Sequence, residues 1–256
     1  MQHSVNDGKK DIVVASAQMS AERERLRANI DKHIHFIETA SKHDVDLILF
    51  PEMSLTGYER ELALDQAFYP DDERLSGIKK AVAERGLMVV AGAPLLLEGK
   101  LYIGLIILQP SGEVMLYTKQ YLHPGEELFF SPGTEADPAI SIGAEILSFA
   151  ICYDIENSEH PRQAARRNST LYAASIFYSH AGIAHGQEIL QGYAREHSMS
   201  ILMSNFCGKC WDMESGGGSV FFAPGGEKIA ECSPDKEELL IASKFENNWA
   251  GECVSI

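Results

Sequence analysis

The amino-acid sequence predicts an α/β fold in which two mixed β-sheets pack together and helices cover their outer faces. The N-terminal segments alternate as strand, helix, strand, a pattern that requires parallel strands joined by right-handed crossovers. Later segments read instead as antiparallel hairpins, so each sheet must mix both kinds of pairing. About eleven or twelve strands are present in all, more than one sheet holds comfortably, and two packed sheets are therefore expected.

In the N-terminal half, apolar residues recur with a helical period after the first strand, and Ser20 resembles an N-terminal cap. Pro51 ends the second strand, and Gly86 ends the second helix. The predicted elements here are the strand Ile12–Gln18, the helix Ser20–Lys42, the strand Asp46–Phe50, the helix Asp71–Arg85, the strand Leu87–Ala91 and a hairpin of Leu101–Leu108 with Glu113–Thr118.

The C-terminal half alternates strands, helices and hairpins in the same way. Its predicted elements are a hairpin of Ile140–Ile142 with Glu145–Cys152, the helix Ser158–Asn168, the strand Thr170–Ile176, the helix His185–His197, the strand Ser200–Asn205, a hairpin of Gly217–Phe222 with Glu227–Glu231 and the strand Leu239–Ser243. No linker or repeat interrupts the series, so we expect one domain over residues 1–256, with a flexible segment at 1–11 and a short irregular tail at 245–256.

Composition and charge exclude several classes of partner. The 256 residues have an ordinary globular composition and a formal net charge of −15. This acidity argues against a nucleic acid or an anionic membrane surface as the partner, since either would require a basic face. No run of about 18 apolar residues is present, and the first eleven residues are polar. A cytoplasmic protein without a membrane partner is therefore expected.

The cysteines indicate a reducing compartment and two possible reactive sites. Five cysteines spread over a long chain do not form a disulfide framework. Cys207 and Cys210 have a C-x-x-C spacing, but no second pair completes a zinc site. The other candidate is Cys152, which ends an apolar run typical of a buried strand and so lies where reacting groups of layered α/β folds gather. A buried structural thiol is the simplest interpretation of Cys152 taken alone.

Two charged residues end strands of the same kind. Glu52 follows a buried strand, where partial desolvation raises the pKa of a carboxyl group and makes it a usable general base. Lys119 follows a hairpin strand and could place a cation beside a thiolate and a developing oxyanion. Glu126 and Glu127 lie in the next loop, where one carboxylate turned inward could orient the lysine.

Taken together and in order, these segments resemble the nitrilase superfamily of carbon–nitrogen hydrolases. The similarity extends from about Ile12 to Ser243, and its motifs together are specific. The matching segments are Phe50–Tyr58 for the glutamate motif, Tyr117–Leu122 for the lysine motif, Cys152–Glu156 for the nucleophile, Tyr193–Glu196 for an arginine-bearing helix, Ser204–Gly208 for an asparagine strand end and Gly217–Glu227 for a late hairpin.

The resemblance implies a four-layer α-β-β-α sandwich, paired as a homodimer through helices near the nucleophile. It implies Glu52 as general base, Lys119 as the oxyanion-stabilising cation, Cys152 as nucleophile and a second glutamate after the lysine. For that second glutamate Glu126 is preferred over Glu127. The expected substrate contacts are Tyr58, Glu127, Tyr153, Glu156 and Ser175. No cofactor and no metal are expected.

The expected reaction is hydrolysis of a non-peptide carbon–nitrogen bond in a small amide or N-carbamoyl compound through a thioester. Glu156 stands where many relatives have arginine, which favours neutral or amine-bearing substrates. Nitrile hydrolysis by the same site is one alternative. A thiol redox or binding protein that uses Cys207 and Cys210 is the other, and it predicts that Glu52 and Lys119 lie far from Cys152.

Overall fold

The computed structural model describes residues 10–133, 138 and 140–256, which form two facing β-sheets covered by helices. The sheet orders are β15-β14-β1-β2-β3-β4-β5 and β13-β12-β9-β8-β7-β6, and β10 pairs with β11 in a separate hairpin. The strands are β1 (Ile12–Gln18), β2 (Leu47–Leu49), β3 (Met88–Leu97), β4 (Lys100–Leu108), β5 (Val114–Thr118), β6 (Ile140–Ile142), β7 (Glu145–Ile151), β8 (Leu171–Ser175), β9 (Ser200–Ser204), β10 (Lys209–Cys210), β11 (Met213–Glu214), β12 (Val220–Phe222), β13 (Lys228–Glu231), β14 (Glu238–Phe245) and β15 (Asn248–Ser255).

Helices cover the outer face of each sheet. They are α1 (Leu26–Ser41), α2 (Ala63–Gln66), α3 (Ser76–Arg85), α4 (Glu159–Arg166) and α5 (Ile183–His197). The first strand shows why both faces are apolar: Val13 packs in the core beneath α1 and α3, whereas Val14 packs in the core that also includes Phe149 and Met203 of the opposite sheet. Alternate residues of a strand point to opposite faces, so a sheet between two layers needs apolar residues at every position.

Both sheets mix parallel and antiparallel pairs. The strands β1, β2 and β3 are parallel neighbours, as are β7, β8 and β9. Antiparallel strands are added at the sides, for example β14 beside β1 and β4 beside β3. The predicted two-sheet α/β architecture with helices on the outer faces is confirmed.

The C-terminal segment corrects one expectation. Residues 245–256 are not an irregular tail, because Asn248–Ser255 forms β15 and pairs with the whole length of β14. Its pattern of exposed polar residues is typical of an edge strand and resembled a loop in the sequence. Of the N-terminal segment predicted to be flexible, residues 1–9 lie outside the described part, and the Asp11 N–H already donates to Lys244 O at 2.9 Å.

Among the other boundaries, two differ from the predictions by six residues each. The first helix begins at Leu26 rather than Ser20, because the Ser20 hydroxyl donates to the Glu237 carboxylate at 2.5 Å instead of capping the helix. The β3 strand continues to Leu97 and forms a hairpin with β4 around Glu98 and Gly99.

Candidate active site

The segments that follow β2, β5 and β7 meet between the two sheets. There the Lys119 ammonium lies 2.8 Å from Glu52 Oε1 and 2.8 Å from Glu126 Oε1. All three side chains are almost fully buried, and Cys152 beside them is 8% exposed. The structure therefore brings together the candidate base, the candidate cation, the preferred second glutamate and the candidate nucleophile.

Close packing of β3 against the turn after β2 positions Glu52. A Cβ atom on Gly92 would lie 2.3 Å from both the Met53 nitrogen and the Pro51 oxygen, so only glycine permits this approach. From the other sheet, the Ser175 hydroxyl donates to Phe50 O at 2.8 Å. Contacts from both sheets therefore hold the backbone segment that carries Glu52.

Cys152 occupies a strained turn between β7 and a short 3₁₀ helix at Cys152–Glu156. Its φ of +42° falls in the left-handed region, which non-glycine residues seldom adopt. Such outliers cluster at functional sites, because the surrounding structure must hold them in place. The sulfur lies 3.6 Å from Phe177 O, which follows the neighbouring parallel strand β8.

Burial and the surrounding charges set the ionisation of the site. Burial raises the pKa of Glu52 to about 7, although the Lys119 charge opposes this effect. Burial and the Glu52 charge hold the pKa of the Cys152 thiol well above its usual value. For Lys119, burial lowers the pKa, but the Glu52 carboxylate and the other nearby negative groups outweigh burial and raise it. A protonated thiol thus lies beside a carboxyl group that titrates near neutrality and a charged ammonium.

Of the two adjacent glutamates, only Glu126 faces the site. Its Oε1 accepts hydrogen bonds from Lys119 and from the Tyr58 hydroxyl at 2.5 Å, and its Oε2 accepts from the His123 N–H at 2.7 Å. Glu127 is exposed and accepts from the Gly125 N–H of its own loop at 2.6 Å. Tyr58, predicted as a substrate contact, therefore also orients Glu126, whereas Glu127 is turned away from the site.

The other predicted substrate contacts divide in a similar way. Tyr153 follows Cys152 directly and is partly exposed. Glu156 accepts from the Tyr178 hydroxyl at 2.7 Å and lies 3.4 Å from His185 Nε2. Ser175 is fully buried, and its hydroxyl donates to Phe50 O. Its side chain therefore links the two sheets and is not placed to contact a substrate.

Asp154 is a buried residue whose importance the sequence interpretation missed. Its Oδ1 accepts from the backbone N–H groups of Gln120 and Tyr121, and its Oδ2 accepts from the Ile151 N–H and the Tyr117 hydroxyl. One carboxylate thus joins the cysteine turn to the chain on both sides of Lys119. In the sequence, only the position of Asp154 two residues after Cys152 hinted that it positions the cysteine turn.

Asn205, in the segment that resembles the asparagine strand end of the family, directly follows β9. Its side chain accepts from the Tyr178 N–H at 2.9 Å and donates to Tyr178 O and Gly217 O. It thereby holds the chain that carries the Phe177 carbonyl against Cys152. Because β7, β8 and β9 are parallel, the residues that follow them share one edge of the sheet, which explains why Tyr178 belongs to the site.

Aromatic rings flank the site. The rings of Tyr58 and Phe177 lie 5.0 Å apart, and Trp211 lies 5.6 Å from Tyr58 in an edge-on arrangement. Trp211 lies at the turn between β10 and β11, a small hairpin absent from the predicted elements, and the Arg60 guanidinium lies 3.9 Å from its ring centroid. Phe177, whose carbonyl oxygen lies 3.6 Å from the Cys152 sulfur, connects this aromatic group to the site.

Cys207 and Cys210 have surroundings unlike those of a redox pair. Burial raises the pKa of each thiol to about 12, which suppresses the reactive thiolate. The Cys210 sulfur accepts from the Tyr58 N–H at 3.3 Å and so helps hold the site. Because Glu52 and Lys119 also adjoin Cys152, the alternative of a redox protein that uses Cys207 and Cys210 is wrong.

Across residues 10–133, 138 and 140–256, no three His, Cys, Asp or Glu side chains converge in a way that could hold a metal ion. No helix in the described part of the chain is long and apolar enough to cross a bilayer.

A buried thiol on a strained turn, beside a carboxyl group and an ammonium, is the constellation of a cysteine-dependent hydrolase that acts on carbonyl-type carbons. The carbon–nitrogen hydrolase family model matches residues 13–243, and the chain belongs to this family. The predicted nitrilase-superfamily resemblance and the predicted carbon–nitrogen hydrolase are confirmed.

The proteins to which this chain is similar include several amidases. An (R)-stereoselective amidase of Pseudomonas sp is 28% identical over 83% of this chain and 78% of its own. A 2-oxoglutaramate amidase of Bacillus subtilis (strain 168) is 28% identical over 88% of this chain and 86% of its own. A mutant of the amidase from Nesterenkonia sp. AN1 in complex with butyramide has a TM-score of 0.84 and 25% identity, covering 91% of both chains. Another mutant of that amidase, 26% identical, carries the acetamide moiety of fluoroacetamide on its active-site cysteine.

Proposed function

We propose that this protein hydrolyses small, uncharged amides to a carboxylate and ammonia through a thioester on Cys152. The observation that carries the proposal is the buried contact of Lys119 with both Glu52 and Glu126 beside the Cys152 thiol. Two carboxylates around one ammonium keep the lysine charged where an oxyanion would form. Burial, opposed by the Lys119 charge, leaves Glu52 with a pKa of about 7, which suits a general base.

The first half of the reaction uses Glu52 as base and then as acid. Glu52 takes the thiol proton, and the sulfur attacks the amide carbon. The Lys119 ammonium and the Tyr153 N–H stabilise the oxyanion of the tetrahedral intermediate. Glu52 then gives its proton to the departing nitrogen, the carbon–nitrogen bond breaks, and ammonia leaves a thioester on Cys152.

The second half repeats these roles with water. Glu52 takes a proton from a water molecule, which attacks the thioester carbon, and Lys119 again stabilises the oxyanion. The carbon–sulfur bond breaks, the carboxylic acid leaves, and the proton returns to the sulfur. Glu126 takes no proton in this scheme; it fixes Lys119 and, through Tyr58, one wall of the site.

The surroundings of Cys152 favour small substrates with a neutral acyl chain. Access to the sulfur is narrow, since Cys152 is only 8% exposed, and the Phe177 and Tyr58 rings, 5.0 Å apart, lie beside the site. Glu156 accepts a hydrogen bond from the Tyr178 hydroxyl, and its negative charge would repel a substrate carboxylate. The butyramide and fluoroacetamide bound by the Nesterenkonia amidase are small and uncharged, in keeping with this substrate class.

The substrate class is tested by ammonia release from amides of equal length that carry a neutral, a cationic or an anionic end. The neutral amide is expected to give the highest kcat/KM, followed by the cationic one. A preference for the anionic amide, a monoamide of a dicarboxylic acid, would contradict the assignment of the substrate class.

The nucleophile is tested by Cys152→Ala, with Cys207→Ala as a matched control at another buried thiol. Cys152→Ala is expected to lower kcat at least about 1000-fold with an unchanged circular dichroism spectrum, because no sulfur remains to form the thioester. Cys207→Ala is expected to keep activity within about twofold, since no step uses its sulfur. Full amidase activity in Cys152→Ala would exclude the mechanism.

We further propose that the protein works as a cytoplasmic homodimer paired through α4 and α5. These helices contact each other beside the 3₁₀ helix that begins at Cys152 and cover the outer face of the second sheet. The five free cysteines suit a reducing compartment. Light scattering of the purified protein should give about twice the 28.2 kDa chain mass, and the mass of a single chain at micromolar concentration would contradict this assembly.

A further inference from the structure

Two cysteines outside the active site lie side by side where the edges of the two sheets meet. Cys232 directly follows β13, the edge strand of the six-stranded sheet, and Cys253 lies in β15, the edge strand of the seven-stranded sheet. Their sulfur atoms are 3.5 Å apart. Neither residue belongs to the catalytic machinery or contacts it.

The surrounding chain holds the two thiols facing each other. The Cys232 N–H donates to Ser219 O at 2.8 Å, and the next residue, Ser233, donates through both its N–H and its hydroxyl to the Glu238 carboxylate at the start of β14. On the other strand, a Cβ atom on Gly251 would lie 2.9 Å from the Cβ of Ala230. The β15 backbone thus lies directly against β13.

The pair is also accessible from solvent. A cavity of about 640 Å³ is lined by both cysteines together with Gln187, Gly218 and Pro234. Cys253 is half-buried, whereas Cys232 is 4% exposed. A small oxidant that enters the cavity can therefore reach the sulfur of Cys253 first.

We propose that Cys232 and Cys253 form a reversible disulfide in response to hydroperoxides, which joins the C-terminal strand β15 to the opposite sheet. The sulfurs must approach by roughly 1.5 Å to reach the bonding distance of about 2 Å. The edge strand β15 forms backbone hydrogen bonds on one side only, with β14, so few backbone bonds oppose this small shift toward β13.

The chemistry divides between the two sulfurs. The hydrogen bond between them lowers the pKa of Cys253, against the effect of burial, and raises that of Cys232. The Cys253 thiolate attacks a peroxide oxygen, the O–O bond breaks, and Cys253 becomes a sulfenic acid as the other oxygen leaves as water or an alcohol. The Cys232 thiol then displaces water from that sulfenic acid and forms the S–S bond. Two thiols lose two electrons to one peroxide, and a small dithiol reverses the reaction.

The test is peptide mapping of the full chain after treatment with a small molar excess of hydrogen peroxide. Lys236 and Lys244 lie between the two cysteines, so trypsin separates them unless they are linked. The expected product is a Cys232–Cys253 cross-linked pair of peptides that dithiothreitol releases, together with slower amide exchange in β15. The proposal is overturned if both cysteines remain open to alkylation under conditions that convert glutathione fully to its disulfide.

Single variants test the order of the two steps. Cys232→Ser should stop the reaction at a sulfenic acid on Cys253, which dimedone traps. Cys253→Ser should leave Cys232 reduced, because the Cys232 thiol then has no second thiol to pair with. Burial also raises its pKa and so suppresses the reactive thiolate. Cys207→Ser is the matched control and should leave the cross-link unchanged. A cross-link that forms equally in Cys253→Ser, through another cysteine, would overturn the pairing.

Discussion

At the scale of single residues, Glu126 and Glu127 are neighbours in the chain with opposite surroundings. Glu126 is buried against Lys119 and Tyr58, whereas Glu127 is exposed and bonds within its own loop. A buried carboxylate with an ionic partner fixes the position of that partner, and an exposed one is screened by water. Of these two glutamates, therefore, only Glu126 can position Lys119 beside Cys152.

Glu126→Gln is expected to lower kcat about 100-fold while KM changes little, because Lys119 loses one of its two anionic contacts and is no longer held in place. Steady-state ammonia release measures both constants. Glu127→Gln is the matched control and should keep kcat within about twofold. Equal effects of the two substitutions would contradict the assignment of Glu126.

The pH dependence of kcat/KM is expected to follow Glu52, whose pKa burial raises to about 7. Below that pH the carboxyl group is protonated and cannot accept the thiol proton, so the rate should fall about tenfold per pH unit. Above it the carboxylate is available and the rate should reach a plateau. A pH profile measured from about pH 3.5 to 9 provides the test, and a midpoint near the ordinary glutamate value of 4.5 would contradict it.

Glu126→Gln should shift this acid limb to lower pH, since the charge of Glu126 helps to raise the pKa of Glu52. A merely structural role for Glu126 would not move the limb. The shift therefore separates an electrostatic role of Glu126 from a general loss of stability.

At the scale of elements, the 3₁₀ helix at Cys152–Glu156 depends on one aspartate. Asp154 is fully buried, and its two oxygens accept hydrogen bonds from the end of β7 and from the segment around Lys119. The strained φ of Cys152 persists because these bonds determine the path of the turn. Cys152 and Lys119 are thus positioned by the same side chain.

Asp154→Asn is expected to lower the free energy of unfolding by about 3 kcal/mol, because the amide nitrogen cannot accept the bonds and leaves buried N–H groups unpaired. Urea denaturation followed by fluorescence measures the change. Asp31→Asn on α1, whose exposed side chain pairs with Arg27, is the control and should change stability by less than about 0.5 kcal/mol. Equal stability of the two variants would argue against the role of Asp154.

At the scale of the whole molecule, buried serines tie the two sheets together across the apolar core. The Ser16 hydroxyl on β1 donates to Met203 O, and the Ser204 hydroxyl on β9 donates to Ala17 O. Ser175 on β8 donates to Phe50 O, two residues before Glu52. A hydroxyl that donates to a backbone carbonyl of the other sheet fixes the relative position of the two sheets. Apolar contacts are less directional and define that position less precisely.

Ser175→Ala is expected to cost about 1–2 kcal/mol of stability, because the buried Phe50 carbonyl loses its partner, while KM stays within about twofold. Thermal denaturation and steady-state kinetics measure the two effects. Ser111→Ala in the exposed β4–β5 turn should change neither. A large rise in KM without a loss of stability would instead make Ser175 a substrate contact, as the sequence alone predicted.

Most of the fold was predictable because buried strands and amphipathic helices have local signatures. The apolar runs before Glu52 and Cys152 indicate strand ends whatever the rest of the chain does. Elements that lack such a signature were missed: β15 has the polar pattern of an edge strand, and the β10–β11 hairpin is only a few residues long. Their pairing depends on distant partners, which a local pattern does not contain.

The sequence by itself determined the chemical groups of the site, because the order of the glutamate, lysine and cysteine motifs is specific to the carbon–nitrogen hydrolase family. Only the tertiary structure decided their surroundings: that Glu126 rather than Glu127 turns inward, that Ser175 is a tie between sheets, and that Cys232 meets Cys253. Burial, pKa and hydrogen bonding arise from side chains far apart in the sequence. These properties therefore exist only once the two sheets are packed.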